Sequence, residues 1–138
     1  MPHRVLSCVR EFCLAFDQPQ QDTPQLADDE RRRIRMRQLE DKYHDYRYAE
    51  RANDLVKISE SLADMLYVIG VTALEYGIPL DTIFLEVHRS NMTRLGVDGR
   101  AIVREDGKIM KGPNYKKPDV VAILCEATFP DPEYYNDV

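Results

Sequence analysis

Apolar residues recur at helical spacing through most of the chain, and the strongest run lies between Asp54 and Tyr76. Leu55, Ile58, Leu62, Met65, Leu66 and Ile69 form one stripe there, while Lys57, Glu60 and Asp64 share a second face. From Leu62 to Leu74 only Asp64 is charged, so this central helix reads as buried. A carboxylate carried that deep must be protonated, paired or metal-bound, because leaving it bare costs several kcal/mol. The bland explanation of Asp64 is a buried arginine partner; the sharp one is a ligand site.

Around this helix the same periodicity predicts four more. Val5, Val9, Phe12, Cys13 and Phe16 place a first helix over His3 to Phe16. Asp17 to Ala27, with Pro19 and Pro24, has turn chemistry and no period, so it is a loop. Asp28 or Asp29 then caps a long helix to about Ala52, and Asn53 or Asp54 caps the central one, which Gly77 and Pro79 end. A fourth helix runs from Pro79 or Leu80 to Leu95, with Leu80, Ile83, Phe84 and Val87 as its buried stripe. Beyond Gly96 the turn dipeptides Asp98-Gly99 and Asp106-Gly107 predict a small β-ribbon or ordered loop pairing Ala101–Val103 with Lys108–Met110. A last short helix spans Asp119 to Thr128. The expectation is an all-α bundle with one small ribbon: a single domain over residues 1–128, and a loose tail over residues 129–138.

Length and charge narrow the function classes. A chain of 138 residues can bury about two-thirds of its unfolded surface without staples. A formal net charge of -5 argues against a general nucleic-acid or membrane-surface binder, so an anionic ligand needs a local site. Cys8, Cys13 and Cys125 cannot all pair within one chain and lack zinc-like spacing, which fits core thiols in a reducing cytosol. Neither a signal peptide nor a membrane span is supported, and the expected location is cytoplasmic.

Several polar groups interrupt the periodicity where chemistry could sit. The basic run Arg31 to Arg37 is followed by Glu40, Asp41, Asp45 and Glu50, a pattern of salt-bridged solvent faces more than of nucleic-acid binding, although one arginine, Arg35, is a candidate phosphate ligand. Asp41 and Asp45 lie one turn apart on one face and make either a Mg²⁺ edge or an acidic surface stripe. Extending the fourth helix's apolar stripe lands on Asn91 and Arg94, which suits a buried polar site for phosphate or base, unless the helix simply outruns the core. Lys108, Lys111, Lys116 and Lys117 with Tyr115 suit a polyphosphate and an aromatic base, a mixture also common on solvated loops.

Taken together, these stretches resemble the MazG-like branch of the all-α nucleotide pyrophosphohydrolases. The resemblance is carried by Asn53-Asp54-Leu55, Ser61 to Val68, Tyr76-Gly77-Ile78-Pro79, Glu86-Val87-His88-Arg89-Ser90-Asn91-Met92, Asp106-Gly107-Lys108 and Lys111-Gly112-Pro113-Asn114-Tyr115, and it covers roughly residues 5–118. It implies a helical bundle that forms homodimers or homotetramers through apolar helices. It also implies Mg²⁺-dependent hydrolysis of nucleoside triphosphates to monophosphate and pyrophosphate, with Mn²⁺ as the other candidate ion. Metals in such proteins are held by a Glu-Glu-x-x-Glu motif on one helix and a Glu-x-x-Asp motif on the next, and bridge the triphosphate while activating a water. Carried over, Asp41, Asp45, Glu60 and Asp64 are the metal ligands, with Asp41, Asp45 and Asp64 central to catalysis. Asn91, Arg94, Lys108, Lys111, Tyr115 and Arg35 are the substrate-binding residues.

Two positions depart from that pattern. The first motif falls on Asp41-Lys42-Tyr43-His44-Asp45, or one residue earlier on Glu40 to His44, and is incomplete either way; in the second, Ser61 stands where a Glu is expected, with Glu60 just before it. At about 4 Å a single positive charge is repelled by a divalent ion by several kcal/mol even at an effective dielectric of about 20. Lys42 therefore turns away, puts its own ammonium in place of one metal, or abolishes tight metal binding. The expected function is a nucleoside triphosphate pyrophosphohydrolase. Its rival is a nucleotide-binding protein that has lost the chemistry and serves as sensor or sink.

Overall fold

A computed structural model describes residues 2–128, and the expected tail over residues 129–138 lies outside them. Among the described residues the chain forms five helices and no strand: α1 (Pro2–Ala15), α2 (Asp29–Arg51), α3 (Leu55–Glu75), α4 (Leu80–Met92) and α5 (Val120–Thr128). The all-α expectation holds. The chain divides into two compact units, one ending at Pro79 and one beginning at Leu80.

In the first unit, α2 and α3 form an antiparallel-type hairpin whose turn is written in three residues. The N–H of Asn53 donates to the carbonyl of Glu50 (3.1 Å) and that of Asp54 to the carbonyl of Ala49 (3.1 Å), with Asn53 in the left-handed region at φ 53°. This is the reciprocal pair of bonds that closes a helix C-terminus, and asparagine tolerates the conformation better than most residues. Asp54 then caps α3 at once, its carboxylate accepting from the Lys57 N–H at 3.1 Å. Asp28 does the same for α2 through the Arg31 N–H.

The same closure ends α3, where the N–H groups of Gly77 and Ile78 donate to the carbonyls of Leu74 and Ala73. Gly77 is at φ +66°, and a Cβ there would lie 2.3 Å from the Thr23 carbonyl oxygen, so only glycine fits. The loop between α1 and α2 is pinned onto this end: the N–H groups of Gln21 and Gln25 donate to the carbonyls of Leu74 and Tyr76.

The apolar core of this unit is small. Val9, Cys13, Val71 and Leu74 are buried together with Phe12 packed against them, and α1 approaches α3 closely enough that a Cβ on Gly70 would meet Val9 at 3.0 Å. Burial pushes the Cys13 thiol above its usual pKa, which keeps it a neutral core group. Cys8 and Cys125, expected in the core, are exposed.

The central helix is not buried along its length. Leu55 is 75%, Leu62 51% and Leu66 46% exposed, and Asp64 lies among exposed residues as well. Burial is confined to Ser61 and to the last turns, Gly70 to Glu75. The buried carboxylate of α3 is Glu75, 2% exposed, which closes an ion-paired cluster with Arg31 (2.6 Å) and Arg35. Arg35 also donates to Gln38 at 2.9 Å. Two arginines of the basic run thus face inward, not to solvent as the charge pattern suggested.

In the second unit, α4 ends at Met92 and not at Leu95; the chain goes on through turns in which Thr93 and Arg94 donate their N–H groups to Ser90 and Asn91. Glu86 ties α4 to α5, accepting from Arg89 and from the Asp119 N–H at 2.9 Å. Ser90, fully buried, donates to the Lys116 carbonyl at 2.7 Å. The expected ribbon shrinks to one antiparallel bridge between Val103 and Ile109 around the Asp106-Gly107 turn. All residues from Val97 to Lys111 are exposed, so no apolar face is available to extend the pairing.

Candidate functional site

The acids singled out on α2 and α3 gather in part. A cleft of about 540 Å³ in the first unit is lined by Asp45, Tyr48, Ala49 and Ala52 from α2 and its end, and by Lys57, Glu60, Ser61 and Asp64 from α3. Helical spacing explains the lining: Asp45, Ala49 and Ala52 follow one face of the α2 stem, and Lys57, Glu60, Ser61 and Asp64 follow one face of α3. Ala49 and Ser61 are buried, and their small side chains leave room for the opening. Asp41 is exposed and lies outside this lining.

Lys42 occupies the acidic end. Its ammonium lies 3.3 Å from the Asp64 carboxylate and 3.7 Å from that of Asp45, bridging the two helices. The hydrogen bond to Asp64, then its charge, holds the Lys42 ammonium above the ordinary lysine pKa, with Asp45 adding to the effect. Asp64 is therefore paired with a half-exposed lysine, at 53% exposure of its own side chain, and not with a buried arginine. Solvent-screened pairs of this kind are worth at most about 1 kcal/mol.

A divalent cation does not fit these side chains as they stand. Among the described residues no three His, Cys, Asp or Glu side chains are grouped to hold a metal ion. Asp45 on α2 and Asp64 on α3 are bridged by the Lys42 ammonium. Ser61, where the resemblance expects a glutamate, adds a hydroxyl in place of a carboxylate.

The residues expected to bind nucleotide fall into two groups. Arg35, expected as a phosphate ligand, is 5% exposed and engaged by Glu75 and Gln38 inside the first unit. In the second unit Arg94 and Lys111 both lie over the Tyr115 ring, at 5.3 and 4.6 Å from its centroid. Asn91 accepts from Arg94 at 3.2 Å. This group is built on the end of α4 and not buried in it: Asn91 is exposed and Arg94 half-buried, against the expectation of an enclosed polar site. Gly112 fixes its geometry, since a Cβ there would lie 2.4 Å from the Leu95 carbonyl oxygen, and its own N–H donates to the Arg94 carbonyl at 3.0 Å. Lys108 sits in the exposed turn with its backbone N–H bonded to Asp106.

Sequence reasoning missed Glu75 and underused Lys57. The signal for Glu75 was present: Arg31 and Arg35 stand one turn apart on α2, and an acid closes α3 immediately before its stop.

A profile of the phosphoribosyl-ATP pyrophosphohydrolase family matches residues 9–91, well over half of the chain and inclusive of the whole α2–α3 cleft. No curated protein matches the chain.

Proposed function

From the premise that this chain belongs to the phosphoribosyl-ATP pyrophosphohydrolase family, we propose that it is a pyrophosphohydrolase of nucleoside triphosphates, releasing the monophosphate and pyrophosphate. The observation that carries the reading is the cleft in which Asp45, Glu60 and Asp64 project from two paired helices within the matched segment.

Hydrolysis at the α-phosphorus needs an aligned water and compensation of the charge that develops on the phosphoryl oxygens. In this proposal Glu60 and Asp64 orient the attacking water and accept its proton, and Asp45 holds Lys42 in register with them. Within the second unit, taken by itself, Arg94, Lys111 and Lys108 carry the positive charge that phosphate oxygens take, Asn91 steadies Arg94, and Tyr115 offers an aromatic face. Magnesium or manganese, expected from the family chemistry, does not fit the cleft while Lys42 bridges Asp45 and Asp64.

That bridge favours a second reading, in which the protein holds a nucleotide without cutting it. Product analysis separates the two. The full chain is incubated with a panel of ribo- and deoxyribonucleoside triphosphates, without added metal and then with Mg²⁺ or Mn²⁺, beside Asp64→Ala. Monophosphate and pyrophosphate in equal amounts, lost in Asp64→Ala, are the expected result; intact nucleotides under every condition overturn hydrolysis and leave binding.

A further inference from the structure

We propose that Lys42 takes the place of a divalent cation at this cleft: its ammonium serves as the resident counter-ion of Asp45 and Asp64, so the unliganded protein takes up no divalent ion there. The inference rests on the cleft being the site of the proposed chemistry, and it goes beyond that reading by naming what neutralises its carboxylates.

Lys42 belongs to α2 and Asp64 to α3, so the 3.3 Å contact crosses the helix pair, while Asp45 at 3.7 Å is a neighbour on Lys42's own helix. One ammonium thus satisfies two carboxylates that would otherwise repel each other across the opening. A metal ion bound to the same two carboxylates would have to sit within a few ångströms of that ammonium. Lys57, also in the lining, adds a second positive charge on α3. Two lysines against three carboxylates leave the cleft close to neutral before any ligand arrives, which removes the strong field that draws a divalent ion into an all-acid site.

Coulomb repulsion gives the scale. A unit charge about 4 Å from a divalent ion, screened as a surface group is, changes its affinity by about tenfold or more. Removing the charge while keeping the chain length should therefore uncover a metal site, and reversing it should do so more strongly.

The test is Mn²⁺ titration of the full chain, read by the loss of the free-ion electron paramagnetic resonance signal, for the parent, Lys42→Met and Lys42→Glu, without nucleotide. Far-ultraviolet circular dichroism and thermal unfolding confirm that each variant is folded; Lys42 is half-exposed, so both should be. The expected result is no stoichiometric uptake by the parent at Mn²⁺ concentrations that load Lys42→Glu, with Lys42→Met binding at least about tenfold more tightly than the parent. Parent and variants binding with equal affinity would overturn the proposal, as would folded variants that bind no ion. The readout uses no substrate, so a protein inactive on every nucleotide could still pass it, and an active one could still fail it.

Discussion

Glu75 and Asp64 are carried by the same helix and have opposite surroundings. Glu75 is buried beside two arginines, and removing it leaves Arg35 charged and without its partner in the interior, where neither solvent nor another acid replaces it. Glu75→Ala is expected to lower the unfolding free energy by about 3–5 kcal/mol. Asp64→Ala breaks only a screened pair and is expected to change it by less than about 1 kcal/mol. Urea denaturation at neutral pH checks both; comparable effects would mean that Asp64 is more deeply engaged than its exposure indicates. Asp64 drew attention in the sequence because it is the lone charge in an apolar run, yet apolar neighbours measure burial only when something covers them. Leu62 and Leu66 beside it are themselves exposed. Lys42 was legible as a misfit by charge alone, whereas which of its three fates it follows depends on how α2 and α3 face each other, and that is a tertiary fact.

At the scale of elements, stops were easier to read than faces. Gly77-Ile78-Pro79 marks the end of α3 because the left-handed position and the missing proline N–H are local demands. Asn53 answers the same demand for α2. The end of α4 was overshot, because Thr93 to Leu95 are ordinary helix residues whose turns are set by the bonds of Thr93 and Lys116 across the second unit. In that unit Glu86 is the fastening of α5: the hydrogen bonds from Arg89, then from the Asp119 N–H, lower its pKa to about 2. Its unfolded value is near 4.3, so the stability it contributes is complete above that pH and is lost as the pH falls toward about 2. The α4–α5 contact is therefore expected to loosen over that window, seen as exchange broadening of the Asp119 and Ala122 amides in NMR spectra. Glu86→Gln should show no such acid step. Gly112→Ala should displace the Tyr115 loop through its clash with the Leu95 carbonyl and weaken nucleotide binding at least severalfold, measured by isothermal titration calorimetry.

For the molecule as a whole, the exposed apolar surface of α3 calls for a partner. Leu55, Leu62, Leu66 and Ile69 follow one another along one helix and are all exposed, and Val56 and Tyr67 add to the area. We propose a homodimer, or a homotetramer, assembled on that face. Leu62→Asp with Leu66→Asp is expected to yield monomers by sedimentation velocity at concentrations where the parent sediments as an oligomer; a monomeric parent would contradict the assignment. The periodicity that reads as a buried core in one chain fits equally well a core shared between chains. No single helix among the described residues is long and apolar enough to cross a membrane.

The central proposal is that nucleotide engages the cleft residues of α2 and α3, whether or not it is then cleaved. The most direct measurement is backbone amide shift mapping of the full chain titrated with a non-hydrolysable nucleoside triphosphate analogue. Saturable shifts at Asp45, Ala49, Glu60, Ser61 and Asp64 are the predicted result. Shifts confined to other surfaces, or none at millimolar analogue, would contradict it.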